Sequence, residues 1–302
     1  MGVDLPFDSE PIGPEHSSLL KAAFQGKRAW CYYAPFMHCF SLPPGREVRV
    51  ARWADALFIL VIRHGQIDLM VPPLPFSIET LLAFREVLVG RREDSYFRIL
   101  WMDEEDARQL APSLGRVEEK ELEYLYEPAR VVAASGGAYR DLRKRLRKFQ
   151  KTYRATFRCL DVGDLEACQR LLKHWRKRQG RRHPFLLDWG YTKAALDRFD
   201  MWDREDLQGW CVDLEGDVRA FALGGRMQED LANFFVAKTD PDVPGLSEYL
   251  RWQVYRALEG YRWVNDAGDL GLPGLRQFKQ KFRPGARLPV YSAQIRREGR
   301  SS

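Results

Sequence analysis

The sequence has no apolar run that could cross a bilayer as a helix. The longest, Ala56–Ile62, stops far short of the roughly 20 residues a span requires. A secretory leader is equally missing. The opening MGVDLPFDSEP is acidic and broken by proline, with neither a basic start nor an apolar stretch. Gly2 is followed by Pro6 at the position where a myristoylation signal needs Ser or Thr. Cysteine is sparse and scattered. The five (Cys31, Cys39, Cys159, Cys168 and Cys211) are odd in number and include no CxxC pair. That excludes a disulfide scaffold and predicts free thiols in a reducing compartment. The five histidines do not cluster with them, so no metal site is expected. These absences predict a cytoplasmic protein.

The material that is present suits a globular chain. Of 302 residues, 45% are hydrophobic and 30% charged, enough for a sizeable core and too apolar for a disordered chain. At roughly 150 residues per domain the length predicts two domains or one large one. The net charge is only +6, but Tyr139–Arg158 carries nine Lys or Arg against the single acid Asp141, and Lys173–His183 repeats the bias. A local surplus of this kind points to an anionic partner more directly than the total does.

Residues 1–50 give little periodicity. Pro35, Pro43, Pro44 and Gly45 interrupt them, and the aromatic run Trp30–Phe40 reads as core. From Ala56 the pattern sharpens. Strands are expected at 56–62 and 67–71 around a turn at His64-Gly65-Gln66, then a helix capped by Ser77, a strand at 97–101, a short helix capped by Asp103 and a strand at 121–126. Leu142, Leu146, Phe149 and Tyr153 fall at helical spacing and predict a helix over 137–153 whose other faces are basic. A strand at 156–160 follows, a helix capped by Asp164, a second helix at 191–199 and strands at 209–213, 218–224 and 231–238, the first two joined by Glu215-Gly216. A helix at 247–259, a short strand at 261–264, a helix at 274–282 and a strand near 288–291 complete the chain. The fold class expected is an α/β mixed sheet with a domain at 1–126 and another at 127–302, the latter opened by the basic helix 138–154. The order over 156–291 is similar to the GNAT acyltransferase fold, and the first half suggests a divergent version of the same unit.

Three segments carry candidate chemistry. In the GNAT fold the loop before the central helix cradles a pyrophosphate on backbone N–H groups. Here that loop is TDPDVPGLS, Thr239–Ser247, with one glycine, two prolines and two acids that would repel the anion, so a coenzyme A site is expected less than its absence. The second segment is the basic helix. Arg140, Arg143, Lys144, Arg147 and Lys151 read either as a solvated face or as a surface for RNA or lipid phosphates; the shortage of acids to pair with them weighs toward the second. The third is NDAGDLGLPGLRQFKQKFRP, Asn265–Pro284. Asp269 precedes a tight Leu270-Gly271 stretch, Pro273 and Gly274 open a helix, and Arg276, Lys279 and Gln280 share a face opposite Leu275, Phe278 and Phe282. This arrangement serves either to cap and pair the helix or to grip a charged substrate and stabilise an oxyanion.

Together the residues resemble the phosphatidylglycerol lysyltransferase C-terminal domain family, a tandem of two GNAT folds. The likeness spans roughly residues 50–295. It rests on Glu123-Tyr124-Leu125-Tyr126, Gly137 and Tyr139 ahead of the basic helix, Phe235 and Lys238, and above all Asn265, Asp269-Leu270-Gly271, Gly274-Leu275-Arg276 and Lys279. Phe278-Lys279 with Phe282 is also similar to a stretch of the Fem peptidyltransferases, which take their acyl group from aminoacyl-tRNA. The resemblance implies an aminoacyl-tRNA co-substrate and no further cofactor, with coenzyme A as the lesser alternative. Asp269, Lys279 and Arg276 would be catalytic, and Asn265, Lys238 and Tyr139 would bind substrate. The basic helix would hold tRNA or an anionic lipid surface, giving a peripheral place at the inner membrane face; no oligomeric state is implied. An acyl-CoA-dependent N-acyltransferase and a non-catalytic RNA- or membrane-binding protein are the other readings. Where the family carries acids between the positions of Asn265 and Asp269, this chain has Ala267 and Gly268; the family Glu before Lys238 is Ala237, and the central-helix Asn is Arg251. The loss of those acids disfavours a lysyl donor.

Overall fold

The computed structural model describes residues 7–40, 45–89, 96–110, 115–179 and 188–296. The C-terminal end of the basic stretch expected at Lys173–His183, together with Pro43 and Pro44, lies outside them. Two compact units divide the chain: residues 1–122 with 288–302, and residues 123–287. In sequence, the second unit is thus a continuous segment inserted into the first.

The first unit begins with β1 (Ser9–Pro11), α1 (Ser17–Ala23) and α2 (Ala34–Phe40). There follow β2 (Arg46–Trp53), β3 (Ala56–Arg63), β4 (Gln66–Leu69), α3 (Ile78–Val89), β5 (Tyr96–Met102) and α4 (Glu104–Gln109). Strand β2 is not among the expected strands, because Arg46, Arg49 and Arg52 break its apolar alternation; it pairs along its whole length with β3. Ser77 Oγ accepts from Thr80 N and Asp103 from Asp106 N, so both expected caps are in place. The core packs Phe58, Phe84 and Phe97 with Leu60, Leu69 and Ile99, and Phe58 stacks on Phe84 at 4.5 Å. Of the aromatic run Trp30–Phe40, residues 30–39 are buried and Phe40 is half-buried.

The units exchange chain inside β6 (Gly115–Tyr126) and again inside the last strand, β12 (Ala286–Arg296), which pairs antiparallel with β5. The second unit holds α5 (Pro128–Ala133), α6 (Arg140–Thr152), β7 (Ala155–Cys159), α7 (Leu165–Gln179) and α8 (Asp188–Asp197). After them come β8 (Gln208–Leu214), β9 (Asp217–Arg226), β10 (Leu231–Thr239), α9 (Leu246–Ala257), β11 (Trp263–Gly268) and α10 (Pro273–Gln280). Its strands lie in the order β6-β11-β10-β9-β8-β7. All neighbours are antiparallel except β10 and β11, which run parallel. Asp164 stands directly before α7 (Leu165–Gln179). Asp161 caps the 3-10 turn Val162–Asp164 that leads into α7, accepting from Gly163 N, and the Asp164 carboxylate accepts from Asp161 N and pairs with Arg158 at 2.6 Å. Glu215 and Gly216, at φ 54° and 88°, form the expected hairpin turn.

Side-chain alternation sorts the two faces of this sheet. Ala220, Ala222, Ala232, Phe234 and Val264 join a core with Leu142, Leu146 and Phe149 of α6 and Leu250, Val254 and Tyr255 of α9. Their neighbours point the other way, where α7 lies against β9 and β10. The parallel pair is short: Leu231–Asn233 meets Trp263–Asn265, and beyond that register β10 and β11 part. Strand β11, expected to stop at Val264, runs on to Gly268 because β6 still pairs with it there.

Candidate active site

The site begins with an irregularity in β11. Asn265 faces Leu125 and Gly268 faces Glu123, so three steps on β11 match two on β6. The extra residue is absorbed at Asp266 and Ala267, with Ala267 at φ 51°. The bulge interrupts the register with β6 at Asp266 and Ala267 and turns the Asp266 side chain toward α9. Lys279 of α10 answers both. Its ammonium donates to the Asp266 carbonyl, to Ala267 O at 3.1 Å and to Asp266 Oδ1 at 3.2 Å. Arg251 of α9 closes the other side, donating from Nε to Asp266 Oδ2 at 2.9 Å, and Tyr255 OH donates to the same oxygen at 3.2 Å. The Arg251 guanidinium also lies over the rings of Phe234 and Phe278, at 5.3 and 4.9 Å. Burial opposes charge on Asp266, but Arg251 and Lys279 outweigh it and hold its carboxyl below the usual range.

Lys279 therefore does not share an exposed face with Arg276 and Gln280. It is 2% exposed while they are open to solvent, because its ammonium is turned inward onto the two bulge carbonyls and Asp266 Oδ1. In the sequence Asp266 is only one residue of the segment Asn265–Pro284; its place in a bulge, not its spacing, gives it importance.

Asp269 sits one turn beyond. It is 1% exposed and does not cap α10, whose N-cap, Leu272, has no side-chain cap and is followed by Pro273. Its Oδ1 accepts from Gly271 N at 3.0 Å; its Oδ2 accepts from Tyr124 OH at 2.6 Å and Arg276 Nε at 2.8 Å. Leu270 and Gly271, at φ 54° and 68°, form the tight turn that permits the first bond. Burial opposes ionisation of Asp269, yet the bonds from Arg276, Tyr124 and Gly271 hold its carboxyl below the ordinary range. Burial and the Asp269 bond push the Tyr124 phenol up to about 12. The Arg276 side chain, held at Nε, is still 51% exposed. In the sequence Tyr124 stands only as part of a motif, and its role emerges from this contact.

The remaining candidates do not converge on this point. Tyr139 packs in the α9-side core and donates to Phe282 O at 3.3 Å. Asn265 and Lys238 face the α7 side: Asn265 Nδ2 donates to Glu123 Oε2 at 2.7 Å, and the Lys238 ammonium lies 3.9 Å over the Trp175 ring. On α6, Arg143 donates to the carbonyls of Ala134 and Gly136, serving the end of α5. The other four predicted cations, Arg140, Lys144, Arg147 and Lys151, are all exposed. Spaced i, i+4, i+7 and i+11, they form one stripe about 16 Å long opposite buried Leu142, Leu146 and Phe149. Among the described residues, Lys144, Arg147 and Lys151 make no ion pair, and Arg140 meets only Asp141, at 4.0 Å.

The loop between β10 and α9 is closed by charge. Asp240 Oδ1 accepts from Asp242 N at 2.9 Å, Arg219 pairs with Asp240 at 3.3 Å and Arg178 pairs with Asp242. His174 Nε2 stands 3.4 Å from Asp242. The His174, Asp240 and Asp242 ligand atoms lie within 4.8 Å of one another, and the two arginines already occupy both carboxylates. Gly245, at φ 86°, starts α9 against Phe149.

The family described as phosphatidylglycerol lysyltransferase, C-terminal, matches residues 34–294. No curated protein matches the chain in sequence. A conserved protein of unknown function from Bacteroides thetaiotaomicron superposes with TM-score 0.82 at 19% identity, over 97% of this chain and all of that one. L-PGS from Bacillus licheniformis gives 0.67 at 16%, over 97% and 94%. FemX gives 0.62 at 12%, over 93% and 96%. The fold is a tandem GNAT-like α/β mixed sheet, as expected.

Proposed function

The chain belongs to the phosphatidylglycerol lysyltransferase C-terminal family, and from that premise we propose that it is an acyltransferase that takes its acyl group from aminoacyl-tRNA. The observation that carries the donor is the exposed α6 stripe of Arg140, Lys144, Arg147 and Lys151, of which only Arg140 meets an acid among the described residues, a row suited to a phosphodiester backbone. The acid-closed loop at Asp240–Asp242 argues against coenzyme A, since its carboxylates stand where a pyrophosphate would need N–H donors. The acceptor is a nucleophile on a lipid, peptide or small molecule, and the stripe also suits work at the anionic inner face of a membrane from the cytoplasmic side.

In this reading the nucleophile attacks the aminoacyl ester carbonyl, negative charge builds on the carbonyl oxygen, and the bond to the tRNA ribose oxygen then breaks, the proton lost by the nucleophile ending on that oxygen as the free hydroxyl. Arg276, held by Asp269 at Nε and half-exposed, would stabilise the carbonyl oxygen with its remaining N–H groups. Tyr124 keeps Asp269 oriented and ionised. Lys279 is a positioning residue that holds the β11 bulge beneath them. The test is incubation with a radiolabelled aminoacyl-tRNA mixture and a panel of anionic lipid vesicles, short peptides and small amines. Label should pass from tRNA to one acceptor class. Label that stays on tRNA or reaches only water, across the whole panel, would sink the proposal.

A further inference from the structure

Strand alternation sorts the sheet of the first unit into two faces. Phe58, Leu60, Leu69 and Ile99 pack on one of them. Arg46 of β2, Arg63 of β3, Asp68 of β4 and Arg98 of β5 stand on the other, with Arg46 directly opposite Arg63 in the register. Asp68 Oδ2 accepts from Arg63 at 3.1 Å and from Arg98 at 2.6 Å. Lys120 of β6 reaches the same place. Its ammonium lies 3.8 Å over the Trp101 ring and donates to Leu100 O at 3.1 Å. The Arg46 guanidinium lies 4.1 Å over the Phe40 ring and reaches the Phe40 carbonyl at 3.4 Å. Phe40 in turn meets Trp101 edge-on at 5.1 Å, so the two cations flank one pair of rings.

Folding alone does not account for this cluster. Among the described residues, neither Arg46 nor Lys120 makes an ion pair. Trp101 is 7% exposed, yet its indole N–H has no acceptor, and neither has Arg46 Nε. Unmet buried donors cost free energy. Lys120 is exposed as a residue, but loss of water around its ammonium lowers its pKa to about 8 against the pull of Glu121, and Arg63 and Arg98 act in the same direction. Burial and Arg63 lower the Arg46 pKa as well. A bound anion reverses each of these costs, accepting from the unmet N–H groups and offsetting the charge. The size of the surplus selects its kind. Against Arg46, Arg63, Arg98 and Lys120 stand Asp68 and, near Lys120, Glu121, which leaves two positive charges over. A carboxylate or a phosphodiester offsets one of them. A phosphomonoester carries about −1.5 to −2 near neutral pH on three acceptor oxygens.

We propose that Arg46, Arg63, Lys120 and the Trp101 indole form an anion site in the first unit that takes the phosphate of a phosphomonoester. The phosphate arrives either on a soluble ester or on the monoester head of a lipid, and the test carries both sources. None of these residues belongs to the unit 123–287, so the site stands apart from the donor reading.

Glycerol 3-phosphate and inorganic phosphate are titrated by calorimetry into wild type, Lys120→Gln and Lys120→Arg. Phosphatidylcholine vesicles containing either phosphatidic acid or phosphatidylglycerol are tested with the same proteins by co-sedimentation. Wild type should bind a soluble probe, or the phosphatidic acid vesicles in preference to the phosphatidylglycerol ones. The first result names a soluble ester as sufficient, and the second alone names the lipid head. Lys120→Gln should weaken the soluble binding, or reduce the preference between vesicles, by about tenfold. Lys120→Arg keeps the charge and should retain most of either. Loss in both variants would make Lys120 a folding residue only and overturn the proposal. So would Lys120→Gln that behaves like wild type, or wild type that binds no soluble probe and does not distinguish the two lipids.

Discussion

Asp269 accepts three hydrogen bonds, from Tyr124, Arg276 and Gly271, and each does a separate task. The turn N–H fixes the carboxylate, the phenol orients it, and the carboxylate in turn aims the guanidinium. Asp269→Asn removes the charge that holds Arg276. Transfer should fall about 10²-fold, the usual cost of losing one preorganised electrostatic group, with far-ultraviolet circular dichroism unchanged. Tyr124→Phe leaves two of the three bonds and should cost less; a larger loss than Asp269→Asn would put the phenol itself in the chemistry. Asp266 has a different role. Its carboxylate lies between Arg251 and Lys279 in the interior. Asp266→Asn strands two buried cations and should destabilise the protein by about 3–5 kcal/mol in urea unfolding. A shift within error would show that the cations find other partners. Both aspartates have folded pKa values below their unfolded ones. Their stabilising contribution is therefore complete above the ordinary carboxylate value of about 3.9 and is lost as pH falls through the lower folded values. Urea midpoints from pH 3 to 8 should show a loss below about pH 4 that is shallower in Asp269→Asn. These roles are only half legible in the sequence. Asp269 and Arg276 stand out by type and spacing. Asp266, Tyr124 and Arg251 gain theirs from a strand bulge and from contacts between residues far apart in the chain, which no local pattern encodes.

At the scale of elements, α6 and β11 show what periodicity reveals and what it hides. The apolar spacing of Leu142, Leu146 and Phe149 is enough to define α6 and its buried side. The same spacing places Arg140, Lys144, Arg147 and Lys151 on one outward stripe, while Arg143, nearer the buried edge, goes to the Ala134 and Gly136 carbonyls just after α5. Charge reversal of Lys144, Arg147 and Lys151 together should lower the slope of log affinity for tRNA against log salt by about two to three, leaving thermal unfolding unchanged. A slope equal to that of wild type would remove α6 from the interface. By composition β11 would end at Val264, because Asn265-Asp266-Ala267-Gly268-Asp269 has the residues of a loop. Pairing with β6 keeps the first four of them in the sheet, and burial of polar side chains there is a tertiary effect that overrides local preference.

At the scale of the molecule, the tandem GNAT-like fold is visible in the order of elements over 156–291, and the family resemblance extends it to the first half. The path of the chain's end is not visible in this way. Strand β12 returns residues 288–296 to the first unit, a long-range pairing that its short apolar pattern near Leu288–Tyr291 does not announce. The reactive groups proposed here all lie in the unit 123–287, so the decisive question is what that unit accepts as donor. The most direct measurement offers both donors at once: total aminoacyl-tRNA and acetyl-CoA in one reaction with the acceptor panel, read by mass spectrometry of the acceptors. An aminoacyl-tRNA-dependent transferase gives a product heavier by an aminoacyl group, strongly reduced with Asp269→Asn, and no acetylated product. An acetylated acceptor, or no modified acceptor from either donor, would contradict that function.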